Sequence, residues 1–283
     1  MEKINKIFRM IKFEHSVFAL PFAFMSAFLA EKKVPGIEKI LLILLAMVSA
    51  RSTAMAFNRL VDLRFDKKNP RTIHWVLSRG ELTQTFVKAF IIVSALIFFL
   101  AAYFLNLTCF VLSPVAMFII LTYSLSKRFT FLTHFYLGLA LSLAPMGAWL
   151  AITEQFAFAP ILLSAAVMFW TAGFDIIYAT QDISFDQQYN LHSIPVRFGI
   201  KKALLFSSLC HLTMIVLLGS LSFVSHLGLY YLLGIISTAL FLLWQHRIVK
   251  PSDLSKVNEA FFTANGLLSV FLLLFTMIDI IVK

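Results

Sequence analysis

The chain has 283 residues, of which 60% are hydrophobic and 13% are charged, and its net charge is +10. Soluble domains are typically about 45–50% apolar and about 25% charged, so this composition excludes an ordinary soluble protein and indicates a polytopic membrane protein. The positive charge does not indicate a nucleic-acid partner, because Lys and Arg are concentrated in alternate loops, which is the pattern of membrane topology. We predict an integral, multi-pass protein surrounded by membrane lipid, with a single transmembrane domain over residues 1–283.

Apolar segments long enough to cross a membrane follow one another along the chain. A spanning helix needs about 20 mostly apolar residues, and helices are favoured because they satisfy their own backbone hydrogen bonds in lipid. The sequence predicts an all-α fold with about nine transmembrane helices. The nine candidate spans lie at about 15–30, 38–60, 84–105, 107–125, 132–152, 158–179, 201–223, 227–245 and 258–280.

The loops between these spans alternate in charge. Basic residues are frequent before the first span and after the second, fourth, sixth and eighth spans, and they are scarce in the opposite loops. Only the loop with Lys32, Lys33 and Lys39 runs against this trend. The positive-inside rule therefore places the N-terminus, and the ends of the second and sixth spans, on the cytoplasmic side of the cell inner membrane.

Two acidic clusters end the second and sixth spans, and they contain five of the seven aspartates of the chain. The first acidic cluster, residues 58–66, contains Asp62 and Asp66, and the second acidic cluster, residues 175–186, contains Asp175, Asp182 and Asp186. Carboxylates at this depth are costly and by default mark a functional site. Clustered oxygen ligands favour Mg²⁺, which usually binds together with a phosphorylated substrate.

The two clusters share their spacing. Asn58, Asp62 and Asp66 lie four residues apart and can share one helix face, and Tyr178, Asp182 and Asp186 repeat this pattern 120 residues later. This match predicts two four-helix pseudo-repeats plus a ninth helix, with the site at the interface between the repeats. The two acidic faces would repel each other without cations, and Mg²⁺ ions that bridge to a diphosphate would remove that repulsion.

Several further residues are candidates for substrate binding. Basic side chains near the clusters can bind the remaining phosphate charge; they are Arg64, Lys67, Lys68, Arg71, Lys127, Arg128 and Arg197. The alternative for loop cations is that they serve membrane topology alone, which could hold for most of Lys67, Lys68, Lys201 and Lys202. Arg51 lies about two turns before Asn58 inside the second span. Its predicted role is to face an active cavity, toward an acceptor carboxylate, and the alternative is a structural ion pair within the bundle.

The acidic clusters and Tyr178 also allow a purely structural interpretation. Each acidic cluster could simply face water as a solvated loop, although their equal spacing on one membrane face argues against this for both. Tyr178 shares the aspartate face, so it could contact phosphate or shield a carbocation, or it could only pack between helices.

The motifs around these residues resemble the UbiA superfamily of intramembrane aromatic prenyltransferases. The first motif is similar to Asn58-Arg59-x-x-Asp62-x-x-x-Asp66-x-x-Asn69-x-Arg71-Thr72, and the second to Asp175-x-x-Tyr178-x-x-x-Asp182-x-x-x-Asp186. Residues 13–21, 123–130 and 192–199 also match, so the resemblance covers essentially the whole chain. It is strongest to the 4-hydroxybenzoate polyprenyltransferase branch, which includes relatives that act on naphthoate precursors of menaquinone.

The resemblance implies a cavity at the centre of nine helices, open laterally to lipid. It implies transfer of a prenyl group from a polyprenyl diphosphate to the ring of a hydroxyaryl acid, 4-hydroxybenzoate or a hydroxynaphthoate, in quinone biosynthesis. It implies catalytic roles for Asp62, Asp66, Asp182 and Asp186, and these four would hold Mg²⁺ and the diphosphate together with Asn58 and Asp175. It also implies that Tyr123, Lys127 and Arg128 assist at the diphosphate.

The chain departs from the family pattern beside the first cluster, where Trp75 and Val76 replace the usual Arg-Pro pair. Arg79 and His74 are the candidates to replace the missing cation. The competing function is a membrane transporter for a cation or an anionic metabolite, with its site between repeats. Transporters usually place coupling charges near the middle of the membrane, whereas these carboxylates lie at one surface among basic loops, which favours phosphate chemistry.

Overall fold

The structure is a computed structural model that describes residues 2–12 and 19–283. Over these residues it is almost entirely helical, and no β-strand is found in them beyond one isolated bridge between Lys250 and Asp253. The α-helices are α1 (Glu2–Ile11), α2 (Leu20–Glu31), α3 (Ile37–Val61), α4 (Leu63–Asp66), α5 (Gln84–Leu105), α6 (Leu107–Thr122), α7 (Thr133–Thr153), α8 (Phe158–Ala179), α9 (Ile183–Gln188), α10 (Ile194–Val224), α11 (Leu229–Ile248), α12 (Val257–Glu259) and α13 (Asn265–Val282). Short 3₁₀ helices at Tyr123–Arg128 and Thr180–Asp182 follow α6 and α8, and a π-helical turn at Ala260–Ala264 precedes α13.

In the described part of the chain, eight helical segments are long and apolar enough to cross a membrane. The prediction of an all-α, multi-pass membrane protein is therefore confirmed. The predicted number of nine spans is not confirmed, because the first candidate overlaps residues 13–18, which lie outside the described residues together with most of the matching segment 13–21. The described remainder of that span is α2, whose 12 residues are shorter than the roughly 20 that a span requires.

The main apolar core surrounds α8, the helix that leads into the second acidic cluster. Leu163 and Trp170 of α8 are fully buried against side chains of α2, α10 and α13. The Trp170 indole packs between the Phe22 and Phe174 rings at 4.9 Å from each, and its Nε1 donates to Asn265 Oδ1 at 2.8 Å. This packing fixes the position of α8 and so of the carboxylates at its end.

Both acidic clusters contain the same backbone break. The long helix α3 ends at Val61 and the short α4 begins at Leu63, with Asp62 between them at φ −93° and ψ 3°. After α8, Asp182 has nearly the same backbone angles, φ −104° and ψ 4°, just before α9. The prediction that each set of side chains can share one helix face is therefore corrected, because the helices are interrupted at Asp62 and at Asp182.

The amphipathic helix α1 packs on the turns that follow the first cluster. Met10 and Ile11 are buried together with Val76 and Leu77, which belong to the connection between α4 and α5. Lys6 of α1 also lies 3.9 Å from Glu81. These contacts place the connection against the end of α3, and with it the Trp75 side chain that departs from the family pattern.

The helix α10 begins earlier than the predicted span at 201–223. Ser193 caps it by accepting a hydrogen bond from Val196 N at 3.3 Å, and Pro195 lies in its first turn, where its missing N–H has no helical partner to lose. The helix is then kinked at Gly199, whose φ of 77° is left-handed and suits glycine. The predicted span follows from the long apolar run after Lys201 and Lys202, and this first turn precedes it.

Candidate active site

A cavity of about 610 Å³ lies among α3, α6, α7 and α8 and reaches both acidic clusters. Its size is in the range of small-molecule binding sites, roughly 300–1,000 Å³. Twelve of the predicted site residues line this cavity; they are Arg51, Asn58, Asp62, Asp66, Arg71, Tyr123, Lys127, Arg128, Asp175, Tyr178, Asp182 and Asp186. The rest of the wall is mostly apolar, so the cavity has a charged end and an apolar end.

The structure does not bring Arg197 to the cavity. Its guanidinium stacks on Phe131, with Cζ 4.0 Å from the ring centroid, and lies 5.4 Å from the Phe198 ring. The early start of α10 at Ile194 puts Arg197 in the first turn of that helix, where it packs on these rings. We therefore leave Arg197 out of the proposed site, against its predicted role in substrate binding.

Arg71 binds the second acidic cluster with both sides of its guanidinium. Its Nη2 lies 2.5 Å from Asp182 Oδ2 and its Nε lies 3.0 Å from Asp182 Oδ1, which is the two-pronged geometry that arginine forms with carboxylates. Its Nη1 donates to the Tyr178 hydroxyl at 2.8 Å, and Asn69 Nδ2 donates to Asp182 Oδ1 at 3.2 Å. The connection after the first cluster thus supplies the partners of the second cluster.

The 3₁₀ helix Tyr123–Arg128 connects the two clusters. Lys127 Nζ lies 2.9 Å from Asp186 Oδ2, in the second cluster. The next residue turns to the first cluster, where Arg128 Nη2 contacts Asp62 Oδ1 at 3.0 Å and the Val61 carbonyl at 2.8 Å. Asn58 Nδ2 donates to the other Asp62 oxygen at 3.1 Å. Two adjacent cations therefore hold one carboxylate from each motif.

Arg59 is a site residue that the sequence reasoning did not single out. It lies 3.7 Å from Asp66, and its Cζ lies 3.6 Å from the centre of the Trp75 ring, a close cation–π contact. Lys12 and Arg71 also approach this ring, at 4.8 Å and 5.7 Å. The Trp75 indole, at the position where the family pattern has arginine, is therefore surrounded by three cationic side chains.

The two residues proposed to replace the missing cation do not line this cavity. Arg79 is 58% exposed and pairs with Glu81 at 3.6 Å, so it points away from the clusters. His74 lines a separate small pocket between α1 and the end of α3. The prediction that Arg79 or His74 substitutes for the family's arginine is corrected, and Arg59 is the cation that the structure places there.

His134 ties α7 to the second cluster. The side chain is fully buried, its Nδ1 lies 2.7 Å from Asp175 Oδ2, and its Nε2 lies 3.3 Å from the backbone N of Ile194. Because the backbone N–H can only donate, Nε2 is the acceptor and Nδ1 carries the proton that is donated to Asp175. A histidine inside an apolar span was the only sequence signal for this role.

Arg51 lies deeper in the cavity than the aspartates. Its Nε is buried without a hydrogen-bond partner, and no ion pair to it is found among the described residues. The alternative of a structural ion pair within the bundle therefore has no support in this structure. A buried guanidinium with an unused donor needs an acceptor, because an unmet buried donor is costly.

Burial weakens the acidity of the first cluster. It raises the pKa of Asp66 to about 6, although Arg59 nearby acts in the opposite direction. Burial also raises the pKa of Asp62, against the hydrogen bond from Arg128. Both carboxylates are thus held in a place that disfavours their charge, so an added cation beside them would be stabilising.

The donor set suits a hard divalent cation. Six side chains with oxygen ligands line the same end of the cavity, which fits Mg²⁺ and not a thiolate or imidazole metal site. Among the described residues no three His, Cys, Asp or Glu side chains are already gathered as a metal site. Mg²⁺ does not require this, because it commonly takes one or two carboxylates and completes its shell with water and substrate phosphates.

The fold and the cavity define an integral membrane protein with a charged site that opens into an apolar chamber. The chain belongs to the UbiA prenyltransferase family, which matches residues 19–271. It is 30% identical to the 4-hydroxybenzoate octaprenyltransferase of Francisella tularensis subsp. tularensis over 90% of this chain and 88% of that one. It is 26% identical to the protein of the same name from Cronobacter sakazakii, over 76% and 74% of the two chains.

Solved structures agree with this membership. The apo structure of a UbiA homologue from Aeropyrum pernix superposes with a TM-score of 0.86 and 31% identity, covering 94% of this chain and 98% of that one. A UbiA homologue from Archaeoglobus fulgidus bound to DMAPP and Mg²⁺ has a TM-score of 0.75 and 21% identity, covering 97% and 99%, and at this identity it bears on the fold alone. The prediction of an enzyme that transfers prenyl groups is confirmed by the family, and the transporter alternative is not supported.

Proposed function

We propose that this protein transfers a polyprenyl group from a polyprenyl diphosphate to the ring of a hydroxyaryl acid, 4-hydroxybenzoate or a hydroxynaphthoate, in quinone biosynthesis. The observation that carries the proposal is the single cavity with charged residues at one end and an apolar wall beyond them. A polyprenyl diphosphate likewise has a charged group at one end and a long apolar chain beyond it. The name of the Francisella relative supports the acceptor and the long chain, and the DMAPP and Mg²⁺ of the Archaeoglobus homologue support the donor and the metal.

The diphosphate end is assigned to both acidic clusters. Asp62, Asp66, Asp182 and Asp186 would hold Mg²⁺, together with Asn58 and Asp175. When bound, the metal supplies electrostatic stabilisation of the charge that builds on the leaving diphosphate. Arg71, Lys127 and Arg128 now pair with these carboxylates, and they would bind phosphate oxygens where the carboxylates held the metal instead.

The acceptor is assigned to the deeper part of the cavity. The unused Nε of Arg51 would bind the carboxylate of the hydroxyaryl acid and so orient its ring. Tyr123 lines the same part of the wall. The allylic C–O bond breaks with its electron pair on the diphosphate, the ring carbon ortho to the hydroxyl attacks the allylic carbon, and loss of the ring proton restores aromaticity.

Two features protect the reaction. The Tyr178 hydroxyl is held by Arg71 and its ring packs 4.5 Å from Phe261, so the ring can face the allylic cation and stabilise it. The apolar wall excludes water, which would otherwise capture the cation. By the positive-inside rule this charged end would face the cytoplasmic side of the inner membrane, where water-soluble diphosphate could leave.

The test is turnover by the purified protein in lipid. With a polyprenyl diphosphate, Mg²⁺ and 4-hydroxybenzoate or a hydroxynaphthoate, we expect one diphosphate released per prenylated ring, and no product after the metal is chelated. Asp62→Ala and Asp182→Ala should abolish turnover, whereas Asp253→Ala, at an exposed position in the loop before α12, should not. Absence of product with every hydroxyaryl acid, or wild-type activity in both cluster variants, would overturn the proposal.

A further inference from the structure

At one glycine near the apolar end of the cavity, neither close packing nor a positive φ requires glycine. Gly147 lies inside α7 with negative φ, and a Cβ added there would meet nothing within 4 Å. Elsewhere in the same helix Gly138 is needed for close packing, because its Cβ would overlap the Met168 carbonyl. Glycine inside a helix is destabilising relative to alanine, so a glycine that close packing does not require calls for another explanation.

Gly147 lies far from the charged end. His134, at the start of α7, contacts Asp175, and Gly147 follows 13 residues later, which is about 20 Å along the helix axis. On the adjacent helix α6, Cys109 lies close, with Sγ 3.9 Å from the Gly147 carbonyl. The open space beside Gly147 is thus the deep part of the cavity that both residues line.

Near Gly147 the wall of the cavity is built from packed apolar side chains. Ile43, Leu105 and Ala148 are buried together there. Hydrogen bonds hold this end in place, because Lys39 Nζ donates to the Leu105 carbonyl at 2.6 Å and Asn106 Nδ2 donates to the Leu150 carbonyl at 2.8 Å. A chain that extends from the aspartates along α7 therefore passes the space at Gly147, where packed and hydrogen-bonded residues fix the wall of the cavity.

We propose that Gly147 is a specificity-determining residue, whose missing side chain leaves room for prenyl chains of about four isoprene units or more. This inference rests on the proposed function. One isoprene unit adds four carbon–carbon bonds of about 1.5 Å in a zigzag, or roughly 5 Å, so a chain of about four units spans the distance from Asp175 to Gly147. Shorter chains end before this point.

The experiment compares Gly147→Leu with a matched variant, Gly219→Leu. Gly219 also lies inside a helix, α10, with nothing within 4 Å of an added Cβ, but it does not line the cavity. Transfer would be measured with dimethylallyl, geranyl, geranylgeranyl and octaprenyl diphosphates. For Gly147→Leu we expect kcat/KM to fall about tenfold or more for the two long donors, as steric loss in an apolar pocket predicts, and to be unchanged for the two short ones.

The control and the graded variants make the outcome decisive. Gly219→Leu should keep the wild-type profile for all four donors. Gly147→Ala should shift the profile in the same direction by less, and it serves if the leucine variant does not fold. An unchanged profile in Gly147→Ala and Gly147→Leu, or an equal loss for short and long donors, would overturn the inference alone. A wild-type protein inactive with every donor would instead overturn the proposed function, and the inference with it.

Discussion

Arg71 contacts several residues of the charged site that lie far from it in the sequence. It holds both oxygens of Asp182 and the hydroxyl of Tyr178, and its amide N donates to Asn69 Oδ1 at 2.9 Å. This planar fork matches a carboxylate now and would match a phosphate equally well. Lysine carries the same charge but cannot form the two parallel hydrogen bonds of a guanidinium. Arg71→Lys therefore tests the contribution of hydrogen-bond geometry separately from that of charge.

We predict that Arg71→Lys raises KM for the prenyl diphosphate and lowers kcat/KM about tenfold, the effect of losing charge-assisted hydrogen bonds worth about 1.5–3 kcal/mol. Arg79→Lys is the control, because Arg79 is exposed and lies outside the cavity. Steady-state kinetics with varied concentrations of the prenyl diphosphate would measure KM and kcat/KM for both variants. Equal kinetics for the two variants would contradict the assignment of Arg71 to the diphosphate.

Trp75 holds Arg59 at the first cluster by the face of its ring. We predict that Trp75→Leu weakens the donor's apparent affinity about fivefold, because a cation–π contact contributes about 1 kcal/mol to the position of that guanidinium. Trp75→Phe keeps an aromatic face and should lose less. The measurement is KM for the donor at saturating acceptor, and a larger loss in the phenylalanine variant would refute this role.

At the scale of the elements, the end of one helix is capped by a side chain from another. Asp279 of α13 is 2% exposed and accepts hydrogen bonds from Gly228 N at 2.7 Å and Tyr231 N at 3.3 Å, at the start of α11. The first N–H groups of a helix have no partner within it, so a buried carboxylate there satisfies them and favours the positive end of the helix dipole.

Removal of this cap should lower stability. We predict that Asp279→Ala destabilises the folded protein by about 1–2 kcal/mol, as loss of an N-cap does, and that Asp279→Asn costs less because it retains one acceptor oxygen. Thermal unfolding in detergent would measure the shift. The comparison is Glu259→Ala, which removes an exposed carboxylate paired with Lys256 and should leave the midpoint in place.

The sequence predicted some elements well because local signals mark them. The bounds of α5 agree with the candidate span 84–105, since the apolar run is bracketed by Thr83 and Asn106, which cap α5 and α6. The break at Asp62 and Asp182 was missed, because the i, i+4 spacing of carboxylates is compatible with an unbroken helix. Contacts such as His134 with Asp175 were also missed, since they join residues 41 positions apart and follow from the packing of α7 on α8.

At the scale of the whole molecule, the sequence predicted most residues of the candidate site but not the contacts between them. The residue types and their equal spacing were enough to identify most of the cavity's charged end. The sequence could not reveal which cation meets which carboxylate. Arg128 follows Lys127 directly in the chain yet binds the other motif, and this pairing depends on how the 3₁₀ helix lies between α3 and α9.

The orientation in the membrane stays a prediction from charge, and it can be tested by labelling. In a background with Cys109→Ser and Cys210→Ser, we predict that Glu154→Cys reacts with a membrane-impermeant maleimide added to intact cells, whereas Lys67→Cys reacts only after the membrane is opened. Both positions are exposed, so accessibility on their own side is not limiting. The reverse pattern would put the acidic clusters outside the cytoplasm.

The ion pairs of the charged end bear on how a reaction cycle would finish. Lys127, Arg71 and Arg128 each have a carboxylate within 3.0 Å to return to. Once the prenyl group has moved, the freed diphosphate carries more charge than the ester did and would be held more tightly by these cations. On the proposed function, the protein's own aspartates would then compete with the diphosphate for the same cations, and this competition would weaken the binding of the product and help the site to empty for the next turnover.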